Sequence, residues 1–236
     1  MIIQPIKTRI FKKGENLLDF IIFSTPKILD GDILIITSKI VALSENRTVS
    51  YTDEKSIEKI IRKESQFAMK TKYVWLTIKD NMVLPSAGID KSNANGKIIL
   101  LPKNSFESAK KIRKFLLKYF KIKNLGVIIT DSRTLPLRAG VVGVAVGYAG
   151  FKGVRNYIGS RDLFNRILKF SRTDVADSLA TSAVLLMGEG NECQPLAIIK
   201  KAPVVFTNKL NTKELYIDPK EDMYQPLFEK IRKIKF

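Results

Sequence analysis

Residues 125–132 read LGVIITDS, a short apolar run that ends in an acidic residue and a hydroxyl. The β-branched residues of this run predict a buried strand, and Asp131 and Ser132 follow at the point where that strand should end. A strand that runs out into such a pair commonly presents ligands at the open edge of a sheet. Hard oxygen ligands of this kind suit Mg²⁺ or Mn²⁺. The stretch therefore predicts a core strand with a candidate metal site at its end.

Two more acidic residues stand where the chain leaves an apolar segment. Asp90 lies in SAGIDKSN, and Glu189 lies in MGEGNE. A turn or helix cap would explain Asp90, a turn would explain Asp131, and a flexible loop would explain Glu189, so each signal is weak alone. All three follow apolar elements, however, so their joint occurrence carries more weight than any one of them alone.

Residue types and motifs that are absent from the sequence limit the kinds of catalytic and binding site that this chain can form. The chain has no histidine and a single cysteine, Cys193, which excludes His-dependent triads, His-based zinc sites, a disulfide framework and thiolate metal clusters. It also lacks GxxxxGK[ST], and the glycines between 140 and 153 do not fit GxGxxG, so a P-loop enzyme is excluded and a dinucleotide-binding fold is not expected. Any catalysis must therefore use carboxylates, hydroxyls, lysines, arginines, backbone amides and a bound metal.

Composition indicates a globular protein, since 45% of the 236 residues are hydrophobic and 27% are charged. No apolar stretch reaches the roughly 18–20 residues that span a bilayer, and the N-terminus meets charge too early for a signal peptide. We therefore expect a cytoplasmic protein without a membrane partner. The net charge of +18 would suit a polyanionic partner such as nucleic acid. Because the positive charges are scattered from Lys7 to Lys235, a general surface composition is favoured instead.

Apolar patterning predicts a mixed order of strands and helices. This order is not a strict βαβ alternation, so we expect an α+β (mixed α/β) fold with strands paired partly antiparallel. Polar turn residues gather near 80–96 and predict a soft boundary there. The predicted strands are 33–37, 73–78, 97–101, 125–130, 141–146 and 196–206 (LAIIK with PVVF), and the predicted helices are 55–69, 105–120 and 174–187.

Local signals predict how two of these helices begin and end. Asn104 with Glu107 predicts a capping box at the start of the helix 105–120. Thr173 is expected to cap the helix that follows it, and Gly188 suits the left-handed position after its end.

Two further segments carry groups suited to anions. Ser38 and Lys39 follow the apolar run of DGDILIITSKIV, where an exposed strand end is the simpler explanation, but Ser38 and nearby amides could bind phosphate oxygens. Arg138 lies between the acidic TDS segment and a glycine-rich segment. A planar guanidinium at such a place can hold phosphate or carboxylate bidentately. Arg138 is therefore the candidate catalytic clamp.

Taken together, these segments resemble the coenzyme F420-0:gamma-glutamyl ligase family. The resemblance runs from about residue 5 to 200 and rests on GENLLDFI, DGDILIITSKIV, PSAGIDKSN, LGVIITDS, LRAGVVGVAVGYAG, IGSRDLFNR, VADSLATSAVLLMGEG and PLAII, in this order. It implies an intertwined homodimer with a two-domain fold, in which residues 1–236 form a single ligase unit of two interleaved subdomains. It also implies an acid–amino-acid ligase that uses GTP or ATP and two Mg²⁺ or Mn²⁺ ions.

The implied reaction joins L-glutamate by an amide bond to a carboxylated cofactor such as coenzyme F420-0, through an acyl phosphate. Carried onto matching positions, the resemblance implies that Asp90 and Asp131 bind one metal and that Ser132 and Glu189 bind the second. The implied nucleotide contacts are Thr8, Arg9, Ile10, Phe11, Ser38, Lys39, Asn93, Met187, Gly188 and Gly190.

The chain departs from the family pattern at three positions. Leu43 stands where the family has a lysine expected to meet phosphate, Leu135 stands where it has an arginine, and Pro85 precedes SAGID in an altered context. These changes leave the triphosphate site in place but leave the acceptor open. A folate glutamate ligase of the same family is one alternative, and a member that only binds nucleotide is another. A basic nucleic-acid-binding protein is the alternative from another class, although no groove-reading motif supports it.

Overall fold

The computed structural model describes residues 1–92, 94 and 96–229. Its helices are α1 (Leu17–Ser24), α2 (Ser38–Ser44), α3 (Glu54–Glu64), α4 (Ser105–Phe120), α5 (Val175–Met187) and α6 (Gln225–Glu229), with a single 3₁₀ turn over Ser86–Gly88 within this described part. Its strands are β1 (Ile2–Ile6), β2 (Asp32–Thr37), β3 (Thr48–Val49), β4 (Phe67–Lys70), β5 (Trp75–Lys79), β6 (Met82–Pro85), β7 (Ile98–Ile99), β8 (Leu125–Thr134), β9 (Val141–Ala149), β10 (Val154–Asn156), β11 (Arg172–Asp174) and β12 (Leu196–Lys200).

The main sheet has five strands in the order β1-β12-β2-β8-β9. β2 and β8 are parallel and in register from Asp32 opposite Leu125 to Thr37 opposite Thr130, whereas the other three pairings are antiparallel. The parallel pair therefore brings the ends of β2 and β8 to the same edge of the sheet. β12 begins at that edge as well, because Leu196 lies opposite Ile36.

Helices cover both faces of this sheet, which explains why the central strands are continuous apolar runs. On one face, Leu34, Ile129 and Leu116 belong to a core shared with α1, α2 and α4. On the other face, Ile35 and Leu179 belong to a second core under α5. The sheet is therefore buried on both faces. At the end of the sheet where β2 stops, side chains remain accessible and can contact a ligand.

A smaller lobe lies between α2 and α4 in the chain. It contains the antiparallel sheet β4-β5-β6 and the pair β3-β7. It has a core of its own, formed by Ile57 and Ile61 of α3 with Ile98 and Leu100. The predicted boundary near 80–96 falls inside this lobe, and the division into two interleaved subdomains stays a prediction.

After β9 the chain forms a protruding hairpin, β10 with β11, and its C-terminal segment then packs back onto the sheet. Phe206 makes a single β-bridge with Phe151. Glu214 accepts hydrogen bonds from the Tyr148 hydroxyl at 2.8 Å and from the Gly153 N–H at 2.7 Å. The C-terminal segment is therefore fixed at the base of this hairpin.

The mixed fold with partly antiparallel strands is confirmed, and so are the strands at 33–37, 125–130 and 141–146 and the helices at 105–120 and 174–187. The helix at 105–120 begins at the predicted place, and half of the predicted capping box forms, with Asn104 Oδ1 accepting from the Glu107 N–H at 3.1 Å. The reciprocal bond from the Asn104 N–H to the Glu107 side chain is not among the hydrogen bonds of the described residues. No helix among the described residues has the length and apolar character needed to cross a bilayer.

Several local predictions are wrong in ways that tertiary pairing explains. The helix predicted for 55–69 ends at Glu64, because residues 67–70 pair with β5 instead. β8 continues past residue 130, because β9 pairs with it as far as Thr134. Of the predicted PVVF strand at 203–206, only the bridge at Phe206 forms.

The ends of α5 also differ from the prediction in detail. Asp174 rather than Thr173 caps the helix, with Oδ1 accepting from the Asp177 N–H at 2.9 Å. Gly188 has the expected positive φ of 83°, but its ψ of 165° is extended rather than left-handed helical. This extended conformation turns the chain out of the helix and toward the sheet edge.

Gly143 on β9 keeps α5 close to the sheet and should not accept a side chain. A Cβ there would lie 2.5 Å from the Cβ of Val184 and 2.9 Å from the Ala180 carbonyl oxygen. We expect Gly143→Ala to lower the free energy of unfolding by about 1–3 kcal/mol, measured by urea denaturation. Gly190→Ala is the control, because its Cβ would meet nothing closer than 3.4 Å. Equal losses in the two variants would contradict this packing.

Candidate functional site

A cavity of ≈ 650 Å³ opens where β2 ends and its pairing with β8 stops. Its described lining comes from five parts of the chain, which are residues 9–11, residues 37–43, the lobe residues Gly88, Asp90, Ile99 and Leu100, residues 130–132 and residues 184–195. The register of β2 with β8 explains the second and fourth of these segments. The last one reaches the same edge because the Thr37 N–H donates to the Pro195 carbonyl at 3.0 Å.

Asp131 stands at the centre of the charged groups in this cavity. Burial chiefly, together with the negative charges of Asp90 and Glu189, raises the pKa of its carboxyl to about 7, although hydrogen bonds from the Ser132 N–H and the Ser38 hydroxyl act in the opposite direction. The Ser38 Oγ lies 3.2 Å from Asp131 Oδ1. Asp131 is thus a carboxylate with neutral donors around it and like charges nearby.

Asp90 has a cationic partner instead. Its Oδ2 lies 2.6 Å from Lys39 Nζ, and its Oδ1 accepts from the Ser92 N–H at 2.6 Å. Burial alone would raise the pKa of Asp90, but Lys39 and the hydrogen bonds from Ser92 outweigh burial and hold this pKa below its usual value. Asp90 is therefore a stable anion on the lobe side of the cavity.

Glu189 reaches the cavity from the loop that follows α5. Its Oε1 accepts from the Ser132 hydroxyl at 2.6 Å. The loop is compact, because the Gly190 N–H donates to Glu192 Oε2 at 2.8 Å. A Cβ at position 188 would lie 2.3 Å from the Glu192 Cδ, so the tight packing of this loop depends on Gly188.

The backbone before Asp90 has an unusual conformation. Ser86, Ala87 and Gly88 all have positive φ, at 50°, 59° and 69°. The left-handed region costs an L-residue roughly 1–2 kcal/mol, so this turn persists only because surrounding contacts hold it. Asp90 itself is bonded to Ile99 in both directions, N–H to carbonyl, at 2.9 Å.

The polar groups of the cavity fit Mg²⁺ or Mn²⁺, because they are carboxylate and hydroxyl oxygens. Within the described residues, no group of three or more His, Cys, Asp or Glu residues is placed to hold a metal ion. Mg²⁺ commonly takes only one or two carboxylates and completes its coordination with phosphate oxygens and water. Asp131, a partly buried carboxyl with a raised pKa whose hydrogen-bond donors are hydroxyl and amide groups, is the clearest place for such a cation to be needed.

Arg9 also lines the cavity. Its guanidinium donates to Glu15 through Nη1 at 3.0 Å and Nη2 at 2.6 Å, and it stacks over the Phe20 ring at 5.1 Å. Leu43 lines the cavity while it packs against the main core. The lining thus contains apolar side chains as well as carboxylates. Among the apolar residues are Ile10, Phe11, Ile40, Leu43, Ile99 and Leu100.

The structure brings together most of the residues that the sequence singled out. Thr8 is adjacent to the lining through its N–H, which donates to the Cys193 carbonyl at 3.0 Å. Arg138 is exposed in the turn between β8 and β9 and is not among the described residues that line the cavity. Asn93 lies outside the described residues. The predicted residues that line the cavity are Arg9, Ile10, Phe11, Ser38, Lys39, Asp90, Asp131, Ser132, Met187, Gly188, Glu189 and Gly190; their roles stay predictions.

Sequence reasoning missed the apolar residues Ile40, Ile99 and Leu100, and it missed Glu192. The first three read as ordinary core positions, and only the fold shows that they also face the cavity. Glu192 could have been found from MGEGNE, where a second acidic residue follows two glycines.

Comparison with known proteins gives one consistent result. The family model described as F420-0:Gamma-glutamyl ligase matches residues 5–201. A protein of Methanococcus maripaludis strain C7 is 35% identical over 214 residues, which cover 83% of this chain and 86% of that protein. One from Methanocaldococcus jannaschii is 34% identical over 235 residues, covering 92% and 93%, and one from Archaeoglobus fulgidus is 29% identical over 232 residues, covering 91% and 92%. Each is named coenzyme F420:L-glutamate ligase.

Asp131 should reduce stability in the absence of a cation, because it is a partly buried carboxylate near two others and its pKa is raised. We expect Asp131→Asn to raise the free energy of unfolding by about 1–3 kcal/mol, measured by urea denaturation at pH 8 in EDTA. Asp80→Asn is the control, since Asp80 is exposed in a turn with φ 50° that asparagine also adopts. A shift within about 0.5 kcal/mol is expected for it. An unchanged or lower stability of Asp131→Asn would contradict the electrostatic account.

Proposed function

This chain belongs to the F420-0:gamma-glutamyl ligase family, and from that premise we propose that it joins L-glutamate by an amide bond to a carboxylated deazaflavin acceptor of the F420 type. The protein is a ligase by family. The acceptor proposed for it is taken from the names of its relatives, each a coenzyme F420:L-glutamate ligase.

The observation that carries the proposal is the meeting of four oxygen-bearing residues in one cavity. Asp90, Asp131, Ser132 and Glu189 come from three separate parts of the chain, and all of them line the same space. The two hydrogen bonds Ser38–Asp131 and Ser132–Glu189 connect residues 93 and 57 positions apart. Such convergence is what a phosphoryl-transfer site with hard-cation ligands requires.

The charge of the cavity supports the use of divalent cations. Its described lining contains two cations, Arg9 and Lys39, and four carboxylates, at Asp90, Asp131, Glu189 and Glu192. Both cations are already paired with carboxylates, Arg9 with Glu15 and Lys39 with Asp90. A nucleoside triphosphate is a polyanion and would be repelled by this surface unless cations accompany it.

We assign Asp90 and Asp131 to one Mg²⁺ or Mn²⁺ and Ser132 and Glu189 to a second. When bound, the two ions would neutralise the triphosphate and the charge that develops during phosphoryl transfer. Ser38 would donate its hydroxyl, now on Asp131, toward phosphate oxygens.

The apolar residues of the lining suit a planar ring. Ile40, Leu43 and Leu100 are among them, and we assign the segments 9–11 and 187–190, which also contribute to the lining, to the nucleotide, GTP or ATP. In this proposal the base packs on apolar side chains and the phosphates reach the carboxylates. This arrangement orients the terminal phosphate without any histidine, which the chain lacks.

The reaction needs two steps, because a free carboxylate has a poor leaving group for attack by an amine. The acceptor carboxylate oxygen would attack the terminal phosphorus, forming an acyl phosphate and releasing the nucleoside diphosphate. The amine nitrogen of glutamate would then attack the acyl carbon, forming the amide and releasing phosphate and a proton. Arg138 is the proposed clamp for phosphate or a substrate carboxylate, acting from the exposed turn between β8 and β9.

The proposal is tested by a phosphate-release assay with L-glutamate and Mg²⁺ or Mn²⁺. GTP and ATP are compared, and the acceptors offered are coenzyme F420-0, a folate and no acceptor. We expect release that depends on both glutamate and F420-0, with mass spectrometry showing the glutamylated product. Release that depends only on the folate would replace the proposed acceptor with the folate alternative. Nucleotide binding without release under any condition would overturn the ligase proposal.

Asp131 should be essential for turnover. We expect Asp131→Asn to lower the rate of phosphate release by at least about 100-fold, comparable with the loss of one preorganised electrostatic contact. Asp80→Asn, in the exposed turn between β5 and β6, should retain the parent rate. A parent-like rate for Asp131→Asn would remove this residue from the site.

We further propose that the protein is a homodimer that uses the loop between β10 and β11, residues 157–171, here termed the arm. The arm is internally hydrogen-bonded, with the Gly159 N–H donating to the Leu168 carbonyl at 2.9 Å. It nonetheless exposes large apolar side chains, including Leu163 (98%) and Phe170 (87%). An ordered loop with this surface is typical of an interface, and a symmetric dimer would cover both copies of it.

Charged substitutions in the arm test whether it forms the dimer interface. We expect the double variant Leu163→Asp/Phe170→Asp to be monomeric at concentrations where the parent is dimeric, because buried carboxylates would lack partners. Light scattering after size exclusion measures the mass. Phe23→Asp is the control, because Phe23 is equally exposed (87%) but lies on α1. A dimeric double variant, or a monomeric parent, would contradict the arm as the interface.

A further inference from the structure

The turn before Asp90 is the most strained segment close to the cavity. Its three residues, Ser86, Ala87 and Gly88, are all left-handed, and the Ile89 N–H closes it by donating to the Ser86 carbonyl at 3.0 Å. L-residues visit this region singly rather than in runs. Strained backbone of this kind persists only when its surroundings over-determine it, and it clusters at functional sites.

One buried side chain of the lobe fixes this turn. Thr77, in the middle of β5, is 0% exposed. Its hydroxyl donates to the Leu84 carbonyl just before the turn, and it accepts from the Ala87 N–H at the centre of the turn, at 2.8 Å. The hydroxyl therefore uses both its donor and an acceptor position to connect the end of β6 with the left-handed residue.

The far side of the turn is packed as well. A Cβ at Gly88 would lie 2.7 Å from Leu101 side-chain atoms, so Leu101 packs directly against the turn. Two residues later, Asp90 is bonded to Ile99 through its own N–H and carbonyl. The backbone of Asp90 is thus held between Ile99 and a turn whose conformation depends on Thr77.

We propose that Thr77 is a positioning residue for Asp90: its hydroxyl holds the left-handed turn and so sets where the Asp90 carboxylate enters the cavity. This inference rests on the proposed function, in which Asp90 binds a divalent cation. Thr77 does not line the cavity and would not touch substrate. By holding the turn, it would keep Asp90 in a fixed position relative to the sheet of the lobe.

The alternative is an ordinary buried threonine whose loss only destabilises the lobe. The two roles differ in their coupling to Asp90. A positioning residue affects metal affinity only while the Asp90 carboxylate is present, whereas a general loss of stability acts whether or not it is present. A double-mutant cycle between the two positions separates these cases.

The experiment measures Mn²⁺ affinity of the full chain by electron paramagnetic resonance, with Mn²⁺ alone as the probe. Thr77→Val keeps the shape and removes the hydroxyl, and we expect about tenfold weaker Mn²⁺ binding, as for other groups that orient a metal ligand. Thr77→Ser keeps the hydroxyl and should stay within about twofold of the parent. Thr71→Val is the control, because the Thr71 hydroxyl also donates to a backbone carbonyl, that of Val74, but does so in the exposed turn between β4 and β5.

The cycle is completed with Asp90→Asn, alone and combined with Thr77→Val. We expect Asp90→Asn to weaken Mn²⁺ binding and Thr77→Val to cause no further loss in that background. Equal losses with and without the Asp90 carboxylate would overturn the positioning role, and so would parent-like Mn²⁺ affinity in Thr77→Val. Parent-like affinity in Asp90→Asn would instead overturn the ligand assignment in the proposed function, and the positioning role with it.

Should Thr77→Val fail to fold, Thr77→Cys replaces it in the same cycle. A thiol is small enough for the site but is a weak donor and acceptor. A smaller loss of Mn²⁺ affinity, about threefold, is then expected, again only in the presence of the Asp90 carboxylate. No loss, or a loss independent of that carboxylate, would overturn the role of Thr77.

Discussion

The parallel register of β2 with β8 determines where this protein can do chemistry. Thr37 lies opposite Thr130, so Ser38, which follows β2, and Asp131, the next residue of β8, enter one cavity although they are 93 positions apart. β12 runs in the opposite sense beside β2 and starts at the same edge, which brings in the loop that carries Glu189. A shift of this register by one residue would move every side chain of a central strand to the opposite face of the sheet. The core of the sheet and the cavity are therefore fixed by the same pairing.

The charge of the cavity opposes the charge of the chain. The protein carries a formal net charge of +18, yet carboxylates outnumber cations among the described residues that line the cavity. The positive net charge of the protein would attract polyanions. The carboxylates of the cavity would repel them there, so polyanions would bind in the cavity only together with cations. Like charges held close together reduce stability, and sites that are costly in this way are commonly retained for function.

Patterns within the sequence predicted the elements that depend on local signals. LGVIIT is a strand because its apolar run is buried on both faces, and residues 105–120 form a helix because Asn104 caps it. Residues 67–70 were misassigned, because their pairing with β5 overrides local propensity. The convergence of Asp90, Asp131 and Glu189 could not be derived from spacing and came from family resemblance. In the sequence, only Gly88 indicates the left-handed turn at 86–88. The conformation of the turn depends on Thr77, which lies on a different element, β5.

Leu43, which stands where the family pattern has a lysine, affects the number of cations in the cavity. It lines the cavity and packs against the main core at once, so a lysine in its place would have to keep its charge beside apolar side chains. With leucine there, the cations in the described lining are Arg9 and Lys39, and each already faces a carboxylate. Neutralising a bound triphosphate would then fall more heavily on divalent ions held by Asp90, Asp131, Ser132 and Glu189. The same change adds one apolar side chain to the lining of the cavity. Such a side chain suits contact with a flat ring better than contact with a phosphate.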